Sequence, residues 1–327
     1  MKITVLDRPV MTHNLEGRYY LLRDYAIEIK KIIATGKITQ KQKYRGHYSV
    51  TRSLVEGLKK IEVNFTYDPQ NITEVGDVLV VLTNLDALRQ AINLKKAGKI
   101  TKIIAGPNIT SLPTDIINLS LCSYIDLCIL PGQWLLEWWY HVVPNFPVPI
   151  FVWFAGVNSE FWQPCDPQPK SILKRVLLYQ KYVSDNFTNQ FKKKAQFKGL
   201  ETKVIKYGKY TLEEYKTMLN WSDIMVFLSP SETQGIALFE CWSCNVPTLV
   251  WNPGICHWKG YMPWEGASSA PYLSELTGRF FREIEDFDLS LEKMKNKFSF
   301  FRPREWILNY GTDEIAAHNL LNLIDRL

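Results

Sequence analysis

The sequence has no apolar leader: Met1-Lys2-Ile3-Thr4-Val5-Leu6 meets Asp7 and Arg8 after a run too short for the core of a signal peptide, so a chain that is not exported is expected. It has no stretch suited to a bilayer either. The longest segment free of Asp, Glu, Lys and Arg, residues 138–159, contains Pro144, Pro147, Pro149 and Asn145, whose backbone groups would lack partners in hydrocarbon. No disulfide framework is needed, and six cysteines without a leader read as reduced thiols of a cytoplasmic protein. No Gly-x-Gly-x-x-Gly follows any predicted strand, which disfavours dinucleotide-dependent redox chemistry. Internal repeats and low-complexity tracts are absent, and charge of either sign is in small excess only. Against 33 acidic residues stand 39 basic ones, a net +6 spread along the chain, which argues against a nucleic-acid partner and leaves phosphates and anionic membrane surfaces open.

What is present is apolar: 46% hydrophobic and 13% aromatic residues suffice for a core in each of about two domains. Short Val/Ile/Leu/Tyr runs alternate with segments of helical period. Strands are expected at Lys2–Asp7, Ile61–Tyr67, Val78–Thr83, Ile103–Gly106, Asp126–Leu130 and Ile150–Phe154. Tyr48–Lys60 places Val50, Leu54, Val55 and Leu58 on one helical stripe. After the prolines the pattern restarts, with strands at Arg175–Gln180, Lys203–Tyr207, Ile224–Leu228 and Thr248–Trp251 and helices at Leu212–Asn220 and Gly235–Cys244. Near-continuous apolar strands between helices predict an α/β chain of two Rossmann-like, doubly wound parallel-sheet domains facing a cleft. Residues 17–45 read as an insertion between the first strand and the helix from Tyr48.

The chemistry concentrates in residues 229–248. Glu232 and Glu240 are two carboxylates with seven residues between them, across a loop and the start of a helix. Gly235 lets the backbone approach a ligand, and the helix starting there presents N–H groups to an anion such as a diphosphate. A carboxylate at each position is suited to accept hydrogen bonds from sugar or ribose hydroxyls.

This segment resembles the signature of GT-B glycosyltransferases of the group 1 (family 4) type: Pro-Ser, a Glu, a Gly three residues on, and a second Glu after seven intervening residues. Gly-x-Pro then closes the signature; here Asn245 replaces that Gly, and Asn is the next best residue for a left-handed cap. The resemblance implies donor binding by Ser231, Thr233, Gln234, Gly235, Ile236 and Glu240, with Glu232 on the sugar and Glu240 on the ribose. It implies that Lys181, after the first strand of the second domain, neutralises the donor diphosphate, and that Tyr207 and Gly208 contact the base. On the N-terminal side Gly46 and His47 occupy the place of the family's loop over the diphosphate. Gly156-Val157-Asn158, with Phe161 and Pro164, resembles the interdomain crossing. The implied domains are 1–155 on the acceptor side, 156–302 on the donor side, and a helix in 303–327 completing the first.

The expected activity is transfer of a sugar from a nucleotide-sugar donor to a glycan, lipid-linked or protein-linked acceptor, with retention, no cofactor and no metal. A sugar-nucleotide epimerase of the same shape and a non-catalytic nucleotide-sugar-binding or scaffold protein are the alternatives. Cys241 and Cys244, with Cys256-His257 downstream, resemble zinc spacing, but Cys241 and Cys244 fall on helical core positions, and Asp286-Phe287-Asp288 reads as a helix start. Trp134, Trp138 and Trp139 form an aromatic helix assigned to the first domain, suited to its core or to peripheral contact with a membrane.

Overall fold

The computed structural model describes residues 2–10, 47–117, 122–166 and 172–327. Residues 17–45 and Gly46 therefore lie outside the described residues. The chain divides into two compact units, the first comprising Met1–Leu130, Trp139–Trp153 and Ala317–Leu327, the second Pro131–Trp138 and Phe154–Ala316.

In the first unit run β1 (Ile3–Leu6), α1 (Tyr48–Lys60), β2 (Phe65–Tyr67), β3 (Val78–Thr83), α2 (Leu85–Lys96), β4 (Lys102–Asn108), α3 (Pro113–Ile117), β5 (Leu127–Leu130), the later part of α4 (Gln133–Val142) and β6 (Ile150–Val152). The six strands form one parallel sheet in the order β2-β1-β3-β4-β5-β6. Every residue of β1, β3 and β5 is buried, which is why these strands are apolar without alternation. Helix α1 buries the expected stripe of Val50, Leu54, Val55 and Leu58, and Lys59 and Lys60 in its last turn complement the helix dipole.

In the second unit follow β7 (Arg175–Gln180), α5 (Asp185–Phe197), β8 (Glu201–Lys206), α6 (Leu212–Trp221), β9 (Ile224–Leu228), α7 (Ile236–Ser243), β10 (Thr248–Trp251), β11 (Ile255–Cys256), β12 (Trp264–Glu265), β13 (Gly278–Phe281), α8 (Asp286–Asn296), α9 (Pro303–Tyr310) and the start of α10 (Asp313–Asp325). Five strands make a parallel sheet in the order β13-β10-β9-β7-β8, and β11 pairs with β12 antiparallel. Alternate residues feed two cores. Leu177, Tyr179, Met225 and Phe227 pack with Tyr215 and Leu219 of α6 and Leu238, Phe239 and Trp242 of α7. Val176, Leu178, Ile224 and Val226 pack with Phe191 of α5 and Phe287, Leu291 and Met294 of α8. This is a doubly wound layer in the literal sense, one strand residue per face.

Helix α7 ends as the Asn245 substitution predicts. Asn245 has φ +59°, its N–H donates to Trp242 O at 2.9 Å, and Val246 N–H donates to Cys241 O at 3.2 Å, the paired bonds of a Schellman end. Cys241 and Cys244 are core residues there, the Cys241 thiol donating to Val246 O. Asp286 and Asp288 stand in the first turn of α8, where Asp286 accepts the Glu283 N–H and Asp288 pairs with Lys194 of α5. Trp134, Trp138 and Trp139 are all buried, so the helix that suggested a membrane-facing surface exposes none of these rings. Trp134 and Trp138 also fall in the second unit, not the first, with Trp138 stacked on Trp258 at 3.9 Å between centroids. Among the described residues no helix is long and apolar enough to cross a membrane.

Candidate functional site

Strand β9 is five buried apolar residues, and its ladder ends where Ser229-Pro230 follows, because proline has no N–H to continue it. Beside it, the Lys181 N–H still donates to Leu228 O at 2.9 Å, so Lys181 sits one step past β7 at the same carboxyl edge. That register brings together side chains 51 residues apart. Lys181 Nζ lies 2.8 Å from both oxygens of Glu232, and Ser229 Oγ donates to the same carboxylate at 2.8 Å. Glu232 is only 9% exposed, so the carboxylate is held as a paired and hydrogen-bonded anion, as burial of a charge requires.

The loop carrying Glu232 is clamped on several sides. Glu232 N–H donates to Ser268 O at 2.8 Å, Trp134 Nε1 donates to Glu232 O at 2.9 Å, and Ser269 Oγ donates to Ser229 O at 2.7 Å. The Gln234 side-chain amide exchanges two hydrogen bonds with the Ala155 backbone, at 3.0 and 2.5 Å. Gly132 is required beside this loop, since a Cβ there would stand 2.3 Å from Thr233 O. Such fixing of a loop on rigid neighbours is what holds charged groups in one geometry.

Gly235 then turns the chain into α7 in the left-handed region, with φ +84° and no side-chain cap. Gly235→Ala is expected to cost about 1–2 kcal/mol of stability, because a Cβ meets both the positive φ and Leu238 Cδ1 at 2.8 Å. An unchanged melting temperature in the variant would contradict this account.

Glu240, one turn into α7, is 8% exposed. Near it lies a pair that sequence reading missed, Tyr179 and Tyr210, whose hydroxyls are 2.6 Å apart. Burial first, and then the charge of surrounding groups including Glu240 and Glu232, pushes both phenols above their ordinary range, so both are neutral hydroxyls at physiological pH. A Tyr inside a strand looks like core in a sequence; only the apposition of β7 with the residues after β8 marks it as polar.

Tyr207 and Gly208 follow β8, Gly208 with φ +72° in open space. Lys181 Nζ lies 4.6 Å from the Tyr207 ring centroid and 5.5 Å from that of Tyr182. The rings are 48% and 75% exposed and meet edge to face at 5.6 Å, a wet aromatic platform beside a cation. The structure therefore gathers Lys181, Tyr207, Ser231, Glu232, Gly235 and Glu240 in one unit. Ser231 Oγ donates to Cys256 Sγ, Thr233 is exposed and Ile236 half-buried. His47 belongs to the first unit, at the N-cap of α1, where its side chain does not cap the helix and burial lowers its pKa.

Residues 184–257, which include this loop and helix, match the model of the family described as glycosyl transferases group 1. No curated protein gives a significant match. Among solved structures, the lipopolysaccharide outer core galactosyltransferase WaaB is 12% identical with TM-score 0.51, each chain covered over 100%. Sucrose-phosphate synthase from Thermosynechococcus elongatus is 11% identical with TM-score 0.52, covering 99% of this chain and 98% of the other. Anabaena HepE, solved with UDP, is 11% identical with TM-score 0.53 and 100% coverage of both chains. The fold is GT-B, two parallel-sheet α/β units, and the matched segment supplies the second unit's carboxyl-edge loop with both glutamates.

Around that segment the described residues hold no group of three or more His, Cys, Asp or Glu placed to bind a metal. At the carboxyl edge of β7 and β9, Lys181 stands against the buried carboxylate of Glu232, with the buried Glu240 one turn into α7.

Proposed function

We propose that the protein transfers a sugar from a nucleotide-diphosphate donor to a hydroxyl of a glycan, lipid-linked or protein-linked acceptor in the cytoplasm, without a metal and with retention. The observation that carries the reading is the Lys181–Glu232–Ser229 constellation at the carboxyl edge of β7 and β9, beside the helix opened by Gly235; Ser229, Glu232 and Gly235 lie inside the segment matched by the family, and Lys181 just before it. Ligands of doubly wound sheets bind at that edge.

The bond from sugar C1 to the distal phosphate oxygen breaks and its electron pair leaves with the diphosphate. The acceptor oxygen bonds to C1, and its proton passes to the departing phosphate oxygen. Lys181 and the start of α7 offset the charge that grows on the diphosphate. Glu232 holds the sugar hydroxyls and Glu240 the ribose hydroxyls, with the Tyr179–Tyr210 hydroxyl pair beside them; Tyr207 and Tyr182 offer faces to the base. No enzymic nucleophile is required, because the catalysis is positional and electrostatic.

A thermal-shift series with UDP, GDP and ADP and their sugars, without added metal, tests the donor assignment. A ligand at a hundred times its Kd stabilises the native chain by about 2.7 kcal/mol, so a clear rise is expected for one base. UDP, the nucleotide in the HepE structure, is the first to try. In Glu240→Ala, read against that variant's own baseline, the rise is expected to shrink. No rise with any nucleotide, or an undiminished one in the variant, would overturn the assignment.

A further inference from the structure

At the opposite end of the second unit's sheet, where β13 begins, a cavity of about 660 Å³ opens along the free edge of the strand. Its size lies within the ordinary range for small-molecule sites. The cavity is lined by Arg279 and Phe280 of β13, by Asn296 at the end of α8 and Lys297 and Phe300 after it, and by Glu275. Two features of this lining are unexplained by the fold.

The first is cationic. Arg279 Nε is buried with no acceptor, and among the described residues neither Arg279 nor Lys297 has a salt-bridge partner, although Glu275 is part of the same wall. A buried guanidinium donor without an acceptor is costly and rare in a native chain. The fork geometry of an arginine matches a carboxylate or phosphate. The second feature is aromatic: Phe280 is 42% and Phe300 is 53% exposed, both on the same concavity. Phe rings have no polar atom to keep in water, so their exposure on a concave wall serves a ligand body rather than solvent.

We infer that this cavity is a second ligand site, which binds a monosaccharide-sized ring carrying a phosphate or carboxylate. The oxyanion meets Arg279 and Lys297, the C–H faces of the ring stack on Phe280 and Phe300, and hydroxyls bond to Asn296 and Glu275. The site stands apart from the donor chemistry, which occupies the carboxyl edge of the same sheet.

Calorimetric titration of the full chain with glucose 6-phosphate, glucuronate, glucose and inorganic phosphate tests this. One of the two anionic sugars is expected to bind more tightly than glucose or phosphate alone, and which one does so identifies the oxyanion. Arg279→Gln removes a charge-assisted bond and is expected to weaken that binding about tenfold or more; Phe300→Ala, at an exposed position, is expected to weaken it also. Melting temperatures matching the native chain establish that the variants fold. A donor-site variant, Glu240→Ala, is expected to leave the affinity unchanged, which separates this site from the donor site. Absence of binding by either anionic sugar, or an affinity unaltered in both cavity variants, would overturn the proposal.

Discussion

Lys181→Met is expected to lower kcat/KM for sugar transfer by about 10²–10³-fold, the range found when one preorganised charge stabiliser is removed. The reason lies in the pairing at the β7–β9 edge. Lys181 Nζ, 17% exposed as a side chain, is held 2.8 Å from the Glu232 carboxylate and is thereby fixed at the carboxyl edge, the place the proposed reaction assigns to the cation that offsets the departing diphosphate. The variant also leaves the Glu232 carboxylate in a nearly closed setting with the Ser229 hydroxyl donating to it and its cation gone. Breaking a buried pair from one side costs about 3 kcal/mol or more. The double variant Lys181→Met/Glu232→Gln removes the charge that was stranded, so it is expected to regain most of that stability and none of the activity. Chemical denaturation of the single and double variants, alongside turnover with the donor found by thermal shift, separates the two effects. A loss of turnover below about tenfold would rule out the electrostatic role, and a double variant no more stable than Lys181→Met would rule out the buried pair.

Asp7→Asn is expected to change the pH dependence of stability in the first unit. Asp7, at the end of β1, is buried and accepts hydrogen bonds from Thr51 Oγ at 2.7 Å, Tyr67 hydroxyl at 3.1 Å and Thr83 Oγ at 3.3 Å. Its neighbour Asp68, φ +42°, accepts the Asp7 N–H at 2.9 Å. Burial above all, with repulsion from Asp68 added and the hydroxyl bonds opposing, raises the Asp7 pKa from 3.8 to about 7. Between those values the folded chain keeps a proton that the unfolded chain releases, so the Asp7 contribution falls as pH rises through the window. The fall amounts to about 4 kcal/mol at most and is complete above pH 7. Asn holds the neutral state at every pH. The variant should therefore gain on the native chain from pH 4 to about pH 7 and level off above it, as read by the difference in melting temperature. A difference that stays constant across that range would show that Asp7 is ionised throughout.

How much of this was legible in the sequence depends on how each residue is buried. Val78–Thr83, Arg175–Gln180, Ile224–Leu228 and Thr248–Trp251 appear at their expected limits, because a strand covered on both faces must be apolar along its whole length. Strand β8 runs Glu201–Lys206 and not Lys203–Tyr207; it is an edge strand with exposed charges, so its hydrophobic signal is thin. Strand β13, four residues at the other edge, and the β11–β12 pair gave no readable signal for the same reason. Asn245 was legible because only a few residue types tolerate a left-handed helix end, and the chain places one there.

The site divides along the same physical line. The two glutamates, the left-handed Gly235 and the helix behind it are contiguous in the chain, so the resemblance of that segment to the family signature carried them and the fold it implies. What the sequence by itself determined is thus the local machinery: the β9 run, the break at Pro230, the turn at Gly235 and the helix that displays Glu240. Tertiary structure alone decided the partners. Strand order seats Lys181 on Glu232, the Trp134 indole on the Glu232 carbonyl from 98 residues away, and Tyr179 against Tyr210. It also decided which carboxylates are buried, since the environment of Asp7 is assembled from β2, β3 and α1 around the end of β1. Local geometry follows from short-range sterics and periodicity, whereas a pKa or an ion pair depends on solvent exclusion and on distances between segments that the chain's linear order leaves open.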